Sequence, residues 1–423
     1  MGRVVNFILL LSILLTCNSK IVFADNIKIA VISDIHFLSQ KIATPGPALS
    51  AYESITGRNI KDLHSILNKV LNEILKEGID VLLISGDLTN HGELQSHTDL
   101  IEYLKPLNKS GIQIFITPGN HDINIPNSKQ YTADETISTA SVSVDEFRKL
   151  YDTFGLGSAI YSDESSLSYV AEITKNLWLL SIDSNRYDEN MGSSISGGRI
   201  KDETMLWALN ILQKAKERKI RIVGMMHHGL IEHMPYQSAF FPDYLIEDWK
   251  NQADILADAG LEIIFTGHFH SNDITLSKSP SGNIIYDIET ASLSQYPFAY
   301  RIINLLDSTL SIESRFITST PQKPDLDLEY KLKLERITRR AADNRLNNLG
   351  VPMSSNIKDV LTDMIVKLYL AHVKGDEVPD SEMLEMIESF SALLGNEVQE
   401  EDYSFDFPPE DNNLTLELKP LNH

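Results

Sequence analysis

Five short motifs carry side chains able to bind metal and move protons: Asp34-Ile35-His36, Gly86-Asp87, Gly119-Asn120-His121-Asp122, His227-His228 and Gly267-His268-Phe269-His270. Carboxylate, imidazole and side-chain amide are ligands for borderline divalent or trivalent metals. Thiolate is absent from the set, which excludes a structural zinc knuckle. Asp34 and His36 stand two residues apart, as do His268 and His270. If each pair straddles a strand end, a slight bend aims both side chains at one ion. Asp34, His36, Asp87, Asn120, His227, His268 and His270 are too many donors for one tetrahedral site, but they suit two ions sharing a bridging carboxylate. A metal pair of that kind clamps phosphoryl oxygens and lowers the pKa of a water between the ions.

The elements that must position these motifs are legible around them. Short runs rich in Ile, Val and Leu occupy Ile27–Ser33, Val81–Ser85, Ile112–Thr117, Leu177–Ile182, Ile220–Met226 and Ile263–Thr266. Each is bounded by turn residues and reads as a buried strand. Between them lie helical periods, at Ile60–Leu75, Glu203–Ala215 and Asp248–Ala259. Strands alternating with helices imply an α/β domain with buried sheets. From Asn283 to Ser314 the helical gaps vanish, and Ile284–Ile288, Tyr300–Leu305 and Leu310–Ser314 read as consecutive antiparallel strands. Each metal motif begins where an expected strand ends, and α/β folds build their sites in those loops. Singly, Gly-Asp or Gly-Asn-His-Asp is an ordinary turn, and His227-His228 could be satisfied core or loop histidines. Five such motifs at five strand ends are not explained that way.

Pro321-Gln322-Lys323-Pro324 reads as a linker. Beyond it the period is helical. Ile357, Val360, Leu361, Met364, Ile365 and Leu368 form one stripe behind Ser354 or Ser355 as N-cap, and Met383, Leu384, Ile387, Phe390 and Leu394 form another. The expected organisation is a signal peptide at 1–24, a catalytic domain at 25–320, a helical domain at 321–396 and an acidic extended tail at 397–423. Arg3, the apolar run from Phe7 to Leu15 and the small-residue site Val22-Phe23-Ala24 carry the leader reading and point to secretion. The run is too short for a membrane span. Cys17, the single cysteine, follows Leu14-Leu15-Thr16, which leaves a lipid anchor as the alternative to free secretion.

With 423 residues and 42% hydrophobic content, the chain can bury a substantial core. The formal net charge of −22, with no long basic run, excludes nucleic acid or an anionic membrane as a standing partner. The same acidity repels an anionic substrate, so a phosphate ester needs local positive charge, which a metal pair supplies.

The motifs, in this order and all filled, resemble those of the calcineurin-like metallophosphoesterases over roughly residues 27–315. Gly86-Asp87-Leu88-Thr89, with Gly92-Glu93 following, looks most like the branch containing bacterial class III cyclic-nucleotide phosphodiesterases, as do the leader and helical tail. The resemblance implies an αββα fold, two packed mixed β-sheets flanked by helices, with the helical appendage added. It implies that Asp34, His36 and His270 hold one metal, that Asn120, His227 and His268 hold the other, and that Asp87 bridges them. It places His121 over the site as general acid while hydroxide between the metals attacks phosphorus. Asp122 is then expected to hold the His121 ring and keep it protonated, and His228 to support a ligand. Fe, Mn, Zn and Co all suit the donor set. The expected activity is hydrolysis of phosphodiesters, with nucleotides, cyclic ones included, as the substrate class. A broad phosphomonoesterase or nucleotidase is the alternative within the class, and a non-catalytic scaffold the alternative outside it.

Other histidines and aromatics read more plainly. His64 and His97 are expected on helix surfaces, and His372 and His423 in solvent. His91 and His233 sit in loops and are expected to be ordinary structural histidines, an approach to the cleft being the lesser alternative. Tyr236, Phe240 and Phe241 either stack on a nucleobase or pack, and Tyr296 and Tyr300 carry the same two readings.

Overall fold

Uninterrupted aliphatic runs fold as strands covered on both faces. In the computed structural model, which describes residues 26–348, 354–375, 377, 381–385 and 408–420, they form two large sheets. The first has the order β15-β14-β13-β1-β2-β3, with β1 (Asn26–Ile32), β2 (Val81–Ile84) and β3 (Gln113–Ile116) parallel. Antiparallel β13 (Ala299–Leu306), β14 (Thr309–Phe316) and β15 (Asn413–Glu417) complete it. A short ribbon pairs β4 (Lys129–Tyr131) with β5 (Thr136–Ser138). The second sheet has the order β11-β12-β10-β9-β8-β7-β6. It comprises β6 (Tyr161–Ser162), β7 (Tyr169–Thr174), β8 (Leu177–Ile182), β9 (Arg221–Met226), β10 (Ile263–Thr266), β11 (Ile274–Lys278) and β12 (Ile284–Glu289), of which β8, β9, β10 and β12 run parallel.

Alternation along the second sheet shows how the layers stack. Leu179, Val223 and Met225 face a core shared with β1, β2 and β3, whereas Trp178, Leu180, Ile222 and Met226 face a second core. Successive strand side chains point to opposite faces, so one sheet contributes to both. Helices α1 (Pro47–Thr56), α2 (Leu63–Lys76), α3 (Leu94–Lys109) and α4 (Val144–Leu150) precede the second sheet, while α5 (Asp202–Arg218), α6 (Gln237–Phe240) and α7 (Trp249–Ala259) lie within its sequence. The apolar stripe of α2 (Leu63, Ile66, Leu67, Val70, Leu71, Ile74) joins the shared core, and α5 and α7 cover the other face of the second sheet. The result is the expected helix–sheet–sheet–helix stack.

Three histidines depart from expectation. His97 is buried, with Nδ1 2.8 Å from the Tyr151 hydroxyl and Nε2 3.0 Å from the Asp122 carbonyl. His64 is buried against the Leu38 carbonyl at 3.0 Å. His372 is buried as well. Each sits on a helix face turned inward, and its ring nitrogens find partners there that a helical period alone does not reveal. Tyr296 and Tyr300 are packing residues, both in the shared core. The tail departs too. Asn413–Glu417 is extended, as expected, but it is no free tail: it closes the first sheet beside β14, with Leu416 buried, so that sheet draws its edge strand from beyond the appendage. Residues 1–24, Ile387, Phe390, Leu394 and His423, all subjects of sequence expectations, lie outside the described residues.

The appendage begins with α8 (Leu326–Asn348) and α9 (Ser355–His372), the latter capped by Ser354, whose Oγ accepts from the Ile357 amide. Leu326, Tyr330 and Leu334 of α8 enter the shared core, and the Tyr330 hydroxyl donates to Asn59 Oδ1 at 2.6 Å. At the end of α9 a buried ionic cluster fastens it down. His372 Nδ1 lies 2.5 Å from Glu377 Oε1 and 3.4 Å from Asp273 Oδ2, while His233 Nδ1 lies 2.6 Å from Asp273 Oδ1. Asp287 and Glu289 flank His233 at 3.4 and 3.7 Å. Asp273, His372 and Glu377 are close enough together to hold an ion. Contacts of 2.5–2.6 Å are instead the spacing of a shared proton, since two ligands of one metal with bonds of about 2.0–2.2 Å stand about 3 Å or more apart.

Burial alone would depress His372, but hydrogen bonds and charge from Asp273 and Glu377 outweigh it and raise its pKa to about 10. His233 is raised for the same reason by Asp287 and Asp273. A histidine raised on folding stabilises fully below its ordinary value of about 6.5, and that contribution is lost as pH climbs toward the folded value. Unfolding midpoints should therefore fall between pH 6.5 and 10 in the wild type. The fall should be smaller in His372→Gln at matched metal content; equal slopes would remove the ionic clasp.

Candidate metal centre

The five motifs do meet. Asp34 and His36 follow β1, Asp87 follows β2, Asn120 and His121 follow β3, His227 and His228 follow β9, and His268 and His270 follow β10. All lie at carboxyl ends of parallel strands. Asp34, His36, Asp87, His268 and His270 adopt left-handed backbone, with φ of 48°, 47°, 47°, 76° and 65°. Non-glycine residues seldom accept that conformation, and it collects at functional sites, where surrounding structure imposes it. The loops are tight enough to demand glycine before the ligands. Gly86 has φ 97°, and a Cβ there would overlap the His227 ring; at Gly267 it would overlap Ser33 and the Asp34 carboxylate.

The donors fall into two groups, Asp34–His36–His270 and Asp87–His227–His268. His36 Nε2 and His270 Nε2 are 3.1 Å apart, and His270 Nε2 is 3.2 Å from Asp34 Oδ1. His227 Nε2 is 3.2 Å from Asn120 Oδ1 and 3.5 Å from Asp87 Oδ1. The other Asp87 oxygen, Oδ2, lies 3.5 Å from His36 Nε2, so this one carboxylate reaches both groups. These are the edge lengths of a coordination polyhedron with bonds of about 2.0–2.2 Å. Buried Asp34 Oδ1 has no hydrogen-bond donor, as a lone pair reserved for a cation requires. The donor set therefore fits a metal pair.

Carbonyl oxygens select the ligating nitrogens. His227 Nδ1 meets the Ser85 carbonyl at 2.9 Å, His268 Nε2 the Asp243 carbonyl at 3.0 Å, and His270 Nδ1 Gln295 Oε1 at 2.7 Å. Each contact fixes a tautomer and leaves the other nitrogen bare. Burial holds His36 and His227 below the ordinary imidazole range and His268 at about 3, so all three are neutral and able to bind. Burial also pushes Asp87 up, seconded by the charge of Asp34. It would raise Asp34 too, but His270 pulls that group below the carboxylate range.

His121 sits over this floor. Its amide donates to Asp87 Oδ1 at 2.9 Å, and its ring centroid is 5.1 Å from that of His36. Asp122 does not hold the ring. Its carboxylate turns back into the loops and accepts from the amides of Gly119, Leu88 and Thr89 at 2.8, 3.0 and 2.9 Å. Asp122 thus ties the Asp87 and Asn120 loops together. The ring is held instead by the Asn90 carbonyl, 2.9 Å from Nδ1, and by the Arg58 guanidinium, 3.1 Å from Nε2. A guanidinium has only donors, so Nε2 accepts and Nδ1 carries the hydrogen. Burial, then Arg58 and His91, hold the His121 pKa well below the ordinary value. The His228 ring packs against that of His268 with centroids 4.5 Å apart, anchored by Ser184 Oγ and the Ser196 carbonyl.

Above the floor opens a cavity of about 630 Å³. One side is lined by Tyr52, Arg58 and His91, another by Phe241, Tyr244 and Phe269. Ile337, Ala341 and Arg345 of α8 and Ile365 and Tyr369 of α9 roof it. Ile365, placed in the apolar stripe of the appendage by its period, faces this cavity instead of a helical core. Tyr236 and Phe240 point to solvent, at 72% and 53% exposure, so only Phe241 of that trio lines the cavity. His233 belongs to the ionic clasp. Arg58, Asn90 and Gln295 were not foreseen; none lies in a motif, and only their placement reveals them.

Fold and donor set together define a phosphoester hydrolase built around a candidate metal pair. The chain belongs to the calcineurin-like phosphoesterase family, whose model matches residues 27–272. Among curated proteins, a probable cyclic nucleotide phosphodiesterase of Vesicomyosocius okutanii subsp. Calyptogena okutanii is 44% identical over 59 residues, covering 14% of this chain and 24% of that protein. A second, from Ruthia magnifica subsp. Calyptogena magnifica, is 41% identical over 61 residues, covering 14% and 25%. The chain thus spans about a quarter of the length of these relatives. A crystal structure of a dimetal phosphatase from Danio rerio aligns over 69% of this chain and 96% of that one, with 12% identity and a TM-score of 0.49.

Metal analysis checks the floor. Wild-type protein should hold about two ions per chain, the complement of a two-metal site. Asp87→Ala, which removes the one carboxylate reaching both groups, should lower occupancy at both. Asp87→Ala protein with wild-type metal content would exclude the bridging role.

Proposed function

We propose that this chain hydrolyses phosphodiesters of nucleotide size, cyclic nucleotides foremost, with Asp34, His36 and His270 holding one metal, Asn120, His227 and His268 the other, and Asp87 both. The observation that carries the substrate reading is the lining of the cavity. It joins the candidate metal-site residues Asp87, Asn120, His121, His268 and His270 to aromatic and aliphatic side chains, and the volume lies within the range of about 300–1,000 Å³ usual for small-molecule sites. That combination suits an ester with one charged and one flat apolar part. The short matches to probable cyclic nucleotide phosphodiesterases support the same substrate class. The leader-like residues 1–24 support export as the setting.

The metals supply positive charge for the phosphoryl oxygens and lower the pKa of water; Fe, Mn, Zn and Co are the candidates. The chain supplies the rest. Phe241, Tyr244 and Phe269 offer the organic group a face to stack on, with ring centroids 4.4 Å apart between Tyr244 and Phe269. His121 donates a proton to the departing ester oxygen. The resting ring is neutral with Nε2 accepting from Arg58, and a negative phosphate that draws the guanidinium off Nε2 both frees that nitrogen and favours proton uptake there.

Two measurements test this reading. Bis-p-nitrophenyl phosphate and 3′,5′-cyclic AMP should be turned over faster than p-nitrophenyl phosphate and 5′-AMP. A clear monoester preference would replace the diesterase with a nucleotidase. His121→Ala should keep both metals and slow alkyl esters by roughly 10²–10⁴-fold, with a smaller loss on p-nitrophenyl esters, whose leaving group needs no proton. Equal losses on both ester types would remove the proton-donor role.

A further inference from the structure

Arg58 is a buried cation without a carboxylate. It has 9% exposure, and among the described residues no carboxylate is in hydrogen-bond contact with it, Asp87 and Asp34 of the floor acting on it only through space. A buried charge left uncompensated is costly, which is why buried arginines are normally paired. The partners Arg58 does have are neutral. Nη1 donates to the Tyr52 hydroxyl at 2.7 Å and to Asn90 Oδ1 at 3.3 Å, and Nη2 reaches His121 Nε2 at 3.1 Å. These contacts aim the guanidinium without neutralising it, and the side chain lines the cavity beside His121 and Asp87.

The backbone around it is fastened with equal care. Gly57, at φ 78°, ends α1 in the left-handed conformation just before Arg58. The Asn59 amide donates to the Ser294 carbonyl at 2.6 Å, one residue before Gln295, which holds His270. Lys333 of α8 donates to the Arg58 carbonyl at 3.1 Å. A surface-seeking side chain is thus held inside by the β1–α2 connection, the loop before β13 and the appendage together.

We infer that Arg58 is a catalytic residue that binds the phosphoryl group of the ester on the His121 side, its fixed charge stabilising the oxygens as the phosphorus–ester bond breaks. Asp87 and Asp34 are the carboxylates nearest in effect, and both sit among the candidate metal donors, so the phosphoryl group is the direct anionic partner the guanidinium lacks. Water contributes hydroxide to phosphorus and, through His121, a proton to the leaving oxygen; Arg58 transfers nothing and remains charged throughout. Its fork also gives the site a donor whose charge, unlike that of His121, does not change with pH. The inference rests on the phosphoester-hydrolase reading of the chain.

The test compares full-length wild type with Arg58→Ala and Arg58→Lys for rate, metal content, unfolding midpoint and calorimetric binding of inorganic phosphate. Arg58→Ala should lose roughly 10²–10³-fold in kcat, the usual effect of removing a donor aimed at developing charge. It should keep its metals and its midpoint, and bind phosphate at least tenfold more weakly. Millimolar guanidinium ion should restore part of the rate to Arg58→Ala and none to wild type, and Arg58→Lys should fall between the two. A purely structural Arg58 would instead lower the midpoint or the metal content, with no rescue. That result, or kcat within about twofold of wild type, overturns the inference. Wild type that hydrolyses no phosphate ester would defeat the enzymatic reading itself. Phosphate binding would then decide Arg58 alone, and equal affinity in wild type and Arg58→Ala would overturn the assignment.

Discussion

Lone pairs that cannot reach water dictate this structure. Asp34, Asp87 and Asp122 and the rings of His36, His227 and His268 are all buried where two sheets meet, in a chain of net charge −22. Packed alone, such donors repel one another and lose their hydration. A pair of cations reverses the sign of every one of those contacts, so metal binding and the integrity of this corner are a single problem. The left-handed turns at five ligands and the glycines that allow Asp34 and His227 to approach their neighbours are intelligible only on those terms. Without a cation they would strain the backbone to bring repelling atoms together.

The molecule handles buried charge in two distinct ways, and distance separates them. Around Asp34 and Asp87 the donors stand 3.1–3.5 Å apart, with carbonyl oxygens holding the far side of three rings. Around His233 and His372 the shortest nitrogen–oxygen contacts close to 2.5–2.6 Å, with others at 3.4–3.7 Å, and the two rings pair directly with carboxylates. Both clusters grow from the same strands: Asp273 lies three residues after His270, and His233 five after His228. The ionic clasp thus fastens α9 to the back of the loops that carry the metal ligands, and the roof is anchored to the floor it covers.

Local chemistry was legible in the sequence, and long-range partnership was not. β1, β2, β8 and β10 were visible because a strand buried on both faces must be aliphatic throughout, and the seven candidate metal donors stood out because glycine and histidine cluster where strands end. The order and the polarity of those motifs carry the fold with them. Asp122 illustrates the limit. Its neighbour in sequence is His121, yet its carboxylate serves the amides of Gly119, Leu88 and Thr89, since a turn reverses the direction of the side chain. His97 and His372 fall within helical periods, and a period says which residues share a face without saying what that face meets. The strand Asn413–Glu417 alternates Leu414 and Leu416, but its partner β14 lies about a hundred residues away, before α8 and α9. Arg58 left no trace at all, because an arginine's role depends on whether anything pairs with it.

The appendage also shares in the catalytic machinery. Lys333 of α8 holds the Arg58 carbonyl, Tyr330 holds Asn59, and Arg345 stacks over Phe240 and Phe241, its guanidinium carbon 5.0 Å from each ring centroid. Three contacts from one helix thereby reach the cationic side of the cavity and its aromatic side. A change in how α8 docks moves Arg58 relative to His121 and Phe241 relative to the floor at once. The appendage therefore meets the cavity through side chains of its own, whereas the candidate metal donors all come from the loops of the two sheets.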